Sequence, residues 1–138
     1  MKNTTGATPA TRALRGNCMG AAVLLLVEFG LGMGVNLYVT VPAHKPFFST
    51  VFGQGALAAH AIIAIFLLAA AVAALVRAIR ARRVIIWTAA GLVAIIAAAG
   101  SGAGFTSSGA AGASFAMALM TGIGLLSYLV AIFTLPAA

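Results

Sequence analysis

From Val84 to Ala138 the chain carries not one charged side chain, and between Lys45 and Arg77 only His60 could hold a positive charge. A soluble fold meets water through charged and polar groups, and about a quarter of an ordinary soluble domain is Asp, Glu, Lys or Arg. Here charged residues make up 7% of the chain and hydrophobic residues 63%, so no soluble surface can be built. The uncharged stretches exceed the roughly 18 apolar residues that mark a bilayer span.

Punctuation within the apolar sequence divides it into four spans. Residues 1–16 are small, polar and basic, with too few apolar groups to bury, and read as a flexible basic tail ahead of a transmembrane domain over 17–138. The first span covers about 17–40 and ends before Pro42, which lacks a donor and constrains its predecessor. A loop with Pro42, Pro46, Phe47, Phe48 and Phe52 leads to a second span over about 54–75. After RAIRARR a third span covers about 84–103, with Trp87 near its start, where an indole suits the interface. The glycine- and serine-rich run 100–112 predicts a loop, and a fourth span over about 113–135 closes at Pro136. The first span with its preceding arginines and Val41-Pro42-Ala43 imitates a secretion signal, but the run is too long and contains Glu28.

The net charge of +7 sets eight basic residues against Glu28 alone. Lys2, Arg12 and Arg15 precede the first span, and Arg77, Arg80, Arg82 and Arg83 fill one short segment, with no interleaved aromatics to stack bases. Nucleic acid is therefore not an expected partner. Basic residues concentrate in the tail and the 77–83 loop, against Lys45 alone in 41–53, which predicts both termini and the basic loop on the cytoplasmic side. Short connections make successive spans antiparallel neighbours, so the expected fold is an all-α, up-down four-helix transmembrane bundle. Cys18 is the only cysteine, which leaves no intramolecular disulfide and no Cys/His metal spacing.

Chemistry is concentrated in a few polar residues within the spans. Asn17, Ala21, Leu25, Glu28, Gly32 and Asn36 recur every three or four positions, placing a polar and small stripe on one helix face. Glu28 lies midway between Asn17 and Thr40, near the bilayer centre at ~1.5 Å of rise per residue. A lone carboxylate at that depth is neutralised by protonation or by a partner. It reads either as a proton- or cation-handling site or as a structural acid donating one interhelical hydrogen bond. Gly30 and Gly34 form a GxxxG pair on another face, suited to close packing within the bundle, in a homo-oligomer or in a larger membrane complex.

His60 shares its face with Gly53, Ala56, Ala64 and Ala71, leaving a groove beside the imidazole. Such a group can ligate haem, bind a quinone oxygen or relay protons, or else simply bond Asn36 or a backbone carbonyl. The only other histidine, His44, lies in the 41–53 loop, so a haem would need that loop or a second copy of His60. Ser114, Thr121 and Tyr128 repeat every seven residues, with Met117 and Gly124 between them, as a second polar seam. Counting rise puts Thr121 near the depth of Glu28 and His60 roughly 9 Å above it, which favours a bond from Glu28 to the fourth span over one to His60. Hydroxyls in membrane helices also bond their own backbone, the simpler role for Ser114 and Thr121.

The segments NLYVTVPAH (36–44) and AAHA (58–61), with the glycine-rich turn containing Phe105, resemble a group of small, uncharacterised four-helix membrane proteins of high-GC bacteria. The resemblance implies a multi-pass protein of the bacterial cytoplasmic membrane and no particular activity. No nucleophile occurs with a base and an orienting group, no phosphate loop is present, and one acid cannot make a carboxylate pair, so enzyme activity is not expected. The functional expectation is an internal polar pocket lined by Glu28, Asn36, His60, Thr121 and Tyr128 that binds or passes a proton, an ion or a small ligand. A haem- or quinone-associated electron-transfer component centred on His60, and an accessory subunit of a larger complex, are the alternatives.

The charge asymmetry makes a direct prediction about topology. In a Cys18→Ala background, single cysteines introduced at Arg80 and at Ser108 should react with an impermeant thiol reagent from opposite sides of the membrane. Equal labelling of both from one side would exclude the four-span arrangement.

Overall fold

The first helix starts well before the apolar pattern does. Thr8 has an extended backbone and caps it, with the Thr11 N–H donating to Thr8 Oγ1 at 3.3 Å, and Pro9 takes the opening position where no donor is needed. Helix α1 thus spans Pro9–Tyr38. The computed structural model describes residues 8–40 and 47–136, and these are all-helical apart from short connections, with no strand among them. The remaining helices are α2 (Phe47–Phe52), α3 (Gly55–Ala81), α4 (Ile85–Ser108) and α5 (Ala111–Thr134). Helices α1, α3, α4 and α5 are each long and apolar enough to cross a membrane.

Three boundaries differ from the sequence expectation, each for a packing reason. Residues 9–16, expected in the tail, belong to α1, because Thr11 and Leu14 are buried and Arg15 Nη1 donates to the Pro136 carbonyl at 3.0 Å. The basic run does not end α3, since arginine and alanine are good helix formers and Ala78 is fully buried. The run 100–112 is helical through Ser108, and the connection shrinks to Gly109 and Ala110. Gly102 and Gly104 cost helix propensity there but let Met117 and Ala113 of α5 approach closely. The hydroxyls of Ser101, Thr106, Ser107 and Ser108 donate to carbonyls three or four residues back, at 2.8–2.9 Å. Gly109 then turns the chain at φ +65°, a left-handed conformation that suits glycine.

Between α3 and α4 the chain turns through two non-glycine left-handed residues, Arg82 (φ 52°) and Val84 (φ 49°). The N–H groups of Arg82 and Arg83 donate to Ile79 and Ala78, both at 3.1 Å, closing α3. A β-branched residue in that region is strained, and Val84 carries the strain of this turn. In the 47–53 segment, expected as loop, α2 places Phe48 and Phe52 in a stacked pair with ring centroids 6.4 Å apart. The expectations for residues 1–7, Pro42, His44, Lys45 and Pro46 lie outside the described residues.

Helix α1 packs against α3 and α5, and α4 against α3 and α5, with α2 resting on α3 and α4. The main core draws Leu14, Cys18, Ala21 and Leu25 from α1, Ala71, Ala74 and Ala78 from α3, Ile95 from α4, and Tyr128 and Ala131 from α5. Alanine lines the α3 contribution because helices associating in lipid gain mainly from close van der Waals contact, which small side chains permit. Gly91 of α4 shows the principle most sharply. A Cβ there would stand 2.6 Å from Tyr128 Cε2 and 2.8 Å from Cζ, so the tyrosine ring comes up against a backbone that only glycine leaves bare.

Two stability outcomes follow. Gly91→Ala should destabilise the detergent-solubilised protein by about 1–3 kcal/mol, the usual cost of overpacking, and Tyr128→Leu in the same chain should recover part of that loss. The Tyr128 hydroxyl is buried with no hydrogen-bond partner among the described residues, so Tyr128→Phe should be neutral or stabilising. Equilibrium unfolding in mixed micelles reads both.

Candidate functional site

Glu28 occupies the inward face of α1 and is 5% exposed. Its Oε2 contacts Nδ1 of His60, which α3 presents in its second turn. The depth count favoured a hydroxyl of the fourth span, and the structure corrects that choice. A rise count holds only for helices with level ends, whereas Val35 clusters with Leu57 and Arg77 Nη1 reaches the Ala13 carbonyl at 3.4 Å. This register carries the end of α1 past the start of α3, and the two side chains span what remains.

Gly32, one turn after Glu28, forms the floor under the imidazole. A Cβ at this position would lie 3.4 Å from His60 Cε1, 4.0 Å from Nε2 and 3.9 Å from Met117 Cε. From α5 it is the Met117 thioether that comes to this gap. The only signal for this in the sequence was the shared spacing of Met117 with Ser114 and Thr121. Gly32 stood on the Glu28 stripe, but its role as the gap that seats the imidazole depends on how α1 and α3 meet.

The other candidate residues do not converge on this pair. Asn36 bonds not to His60 but to Ser114, whose Oγ donates to Oδ1 at 3.2 Å, an exposed link between the end of α1 and the start of α5. Thr121 donates to the Met117 carbonyl at 2.8 Å, the backbone role expected of such hydroxyls. Tyr128 lies in the main core beside Gly91, in the same cluster as Cys18. Cys18 stands ten positions before Glu28, about 15 Å along the helix axis. Two surface grooves lie elsewhere, on the outer face of α3 and at the α3–α4 turn.

A carboxyl and an imidazole in contact solve the electrostatic problem that each would pose alone. With one proton between them the pair is neutral overall, whether as carboxylate with imidazolium or as carboxylic acid with imidazole. Gaining or losing a proton leaves one net charge at membrane depth, where charge is costly. Glu28 Oε1 has no hydrogen-bond partner among the described residues. The His60 side chain is 21% exposed, so the pair meets its surroundings through the imidazole. With Nδ1 on the carboxylate, Nε2 is the position left to receive a proton, an oxygen ligand or a metal. Among the described residues no three His, Cys, Asp or Glu side chains gather to hold a metal ion.

Single and double replacement should separate pairing from burial. His60→Phe leaves a buried acid without its partner and should cost about 1–3 kcal/mol, whereas Glu28→Leu together with His60→Phe should fall short of the sum of the single losses. Additive losses in a double-mutant cycle would mean that the two groups do not stabilise one another. Comparison of the chain with protein-family models, with curated proteins and with solved structures returns no match.

Proposed function

We propose that this chain is a non-enzymatic multi-pass membrane protein in which Glu28 and His60 form a proton-handling site that binds or passes a proton within the bilayer. The observation that carries this reading is the buried carboxyl–imidazole contact itself. Ionisable groups are retained at membrane depth mainly where they pair and serve a pathway or relay, and imidazole is the side chain best suited to exchange protons near neutral pH. The unpartnered Glu28 Oε1 and the partly covered imidazole edge provide an inner acceptor and an outer point of exchange.

The same reading extends to orientation and placement. Arg15 of α1 meets Pro136 after α5, Arg77 of α3 meets Ala13 of α1, and Asn36 at the end of α1 meets Ser114 near the start of α5. These contacts support an up-down arrangement of α1, α3, α4 and α5. The basic residues at the Arg77–Arg83 end argue for both termini on the cytoplasmic side, and the cytoplasmic membrane of a bacterium is the proposed location.

Reconstitution into vesicles that entrap a pH-sensitive dye tests the proposal. The wild-type chain should dissipate an imposed proton gradient, and Glu28→Gln, which keeps shape and a hydrogen-bond donor but cannot titrate, should fold normally and abolish that flux. Vesicles carrying the wild-type chain and vesicles carrying the Glu28→Gln variant that behave alike from about pH 5 to about pH 9 would remove the site as a proton handler. The accessory-subunit reading would then lead.

One observation favours a second reading. A carboxylate on Nδ1 is the support that metal-ligating histidines commonly use, which leaves His60 Nε2 available to a haem iron. Protein purified from haem-supplied cells should then show a Soret band that His60→Ala abolishes, and a colourless preparation would remove haem.

A further inference from the structure

The outer face of α3 carries a feature unrelated to the Glu28–His60 pair. Ile65, Leu68, Val72 and Val76 stand out from the helix at 40–67% exposure. Ala69 and Ala73 between them leave a trough, and the groove of about 600 Å³ so formed ends at Arg77 and Arg80. Its residues recur at three- and four-residue steps, so it follows the helix axis. From Ile65 to Val76 the axial rise is ~16 Å, close to the ~15 Å hydrocarbon depth of one leaflet. The two guanidiniums therefore stand at headgroup height when the apolar trough lies in the acyl region.

We propose that this groove binds an anionic phospholipid, with an acyl chain along Ala69 and Ala73 and the phosphate held by Arg77 and Arg80. Charge decides between this occupant and the alternatives. The only acidic side chain in the chain is Glu28, which is buried against His60, so no acidic side chain neutralises the arginine end. A second copy docked in parallel through the same face would bring two arginine pairs together with no acid between them. Arg77 keeps its position through the bond from Nη1 to the Ala13 carbonyl at 3.4 Å, and its other N–H groups remain to meet a phosphate. Both arginines are exposed. The apolar trough gives an acyl chain a surface to lie along, which a basic loop alone does not.

Native mass spectrometry of the full chain in detergent, titrated with phosphatidylglycerol and with phosphatidylcholine, tests this assignment. Phosphatidylglycerol should be retained preferentially. Arg77→Gln with Arg80→Gln should weaken its binding about thirtyfold, taking ~1 kcal/mol for each basic residue at the surface. Arg82→Gln with Arg83→Gln removes the same charge outside the groove and should weaken binding distinctly less than the Arg77/Arg80 replacement does. Ala69→Phe fills the trough at an exposed position and should also displace phosphatidylglycerol while every arginine remains. Equal retention of the two lipids, equal losses from the two arginine pairs, or full binding by the Ala69→Phe chain would each overturn the proposal. If the Arg77/Arg80 variant loses helical circular dichroism, the Ala69→Phe result alone decides.

Discussion

Hydrocarbon offers no hydrogen bonds, and the whole molecule answers to that fact. A polar group left unpaired among acyl chains costs several kcal/mol, so the backbone must satisfy itself within each segment and the chain folds as long helices. The side chains obey the same rule. Thr88, Ser101, Thr106, Thr121, Ser127 and Thr134 all donate to carbonyls of their own helices or of the residue that opens them. Glu28 needs a donor, and the helix N–H groups are spent on their own ladder, so it is paired with His60 across α1 and α3. The Tyr128 hydroxyl and Glu28 Oε1 are departures from the rule among the described residues. The first lies in the packed core and the second at the candidate site, which separates a tolerated packing defect from a group that has chemistry available to it.

Because water does not drive these helices together, their association depends on how closely backbones approach. Besides Gly32 of α1 at the candidate site, the glycines that matter for this are on α4 and α5: Gly91 under Tyr128, Gly102 beside Met117, and Gly124 within 3.6 Å of Ala94 and Leu25 at its absent Cβ. The Gly30 and Gly34 pair of α1, which invites the same interpretation by its spacing, meets nothing within 4 Å. The bundle is pinned at its ends by polar links that lipid headgroups and water can tolerate. Arg15 to Pro136, Arg77 to Ala13 and Gln54 to Thr40 set the axial register. That register in turn brings His60 to Glu28, so the site is a consequence of contacts made far from it.

Much of the fold was legible in the residues. Four apolar stretches, the stops near Pro42 and Pro136 and the basic segment at Arg77–Arg83 were enough to count the long helices. Their boundaries were not, because helix propensity near an end is worth less than packing. Ala78 and Leu14 extend α3 and α1 since each is fully buried, and Gly102 and Gly104 remain helical because α5 fills the space they leave. Glycine and serine signal a loop in water but an interhelical contact in lipid, and composition does not distinguish the two.

The candidate site divides in the same way. Sequence alone determined that Glu28 and His60 are the ionisable groups deep in the spans, since hydropathy and helical rise depend only on the order of residues. It also determined that Glu28 must find a partner or a proton, because the cost of an isolated charge in hydrocarbon does not depend on fold. Which partner it finds was decided by the tertiary structure. Thr121 stands near the depth of Glu28 and shares a seam with Tyr128, yet one bonds its own backbone and the other is held in the core over Gly91. Periodicity specifies the face of a residue but not the axial offset between two helices, and that offset is set by bulk packed and by end contacts many residues away.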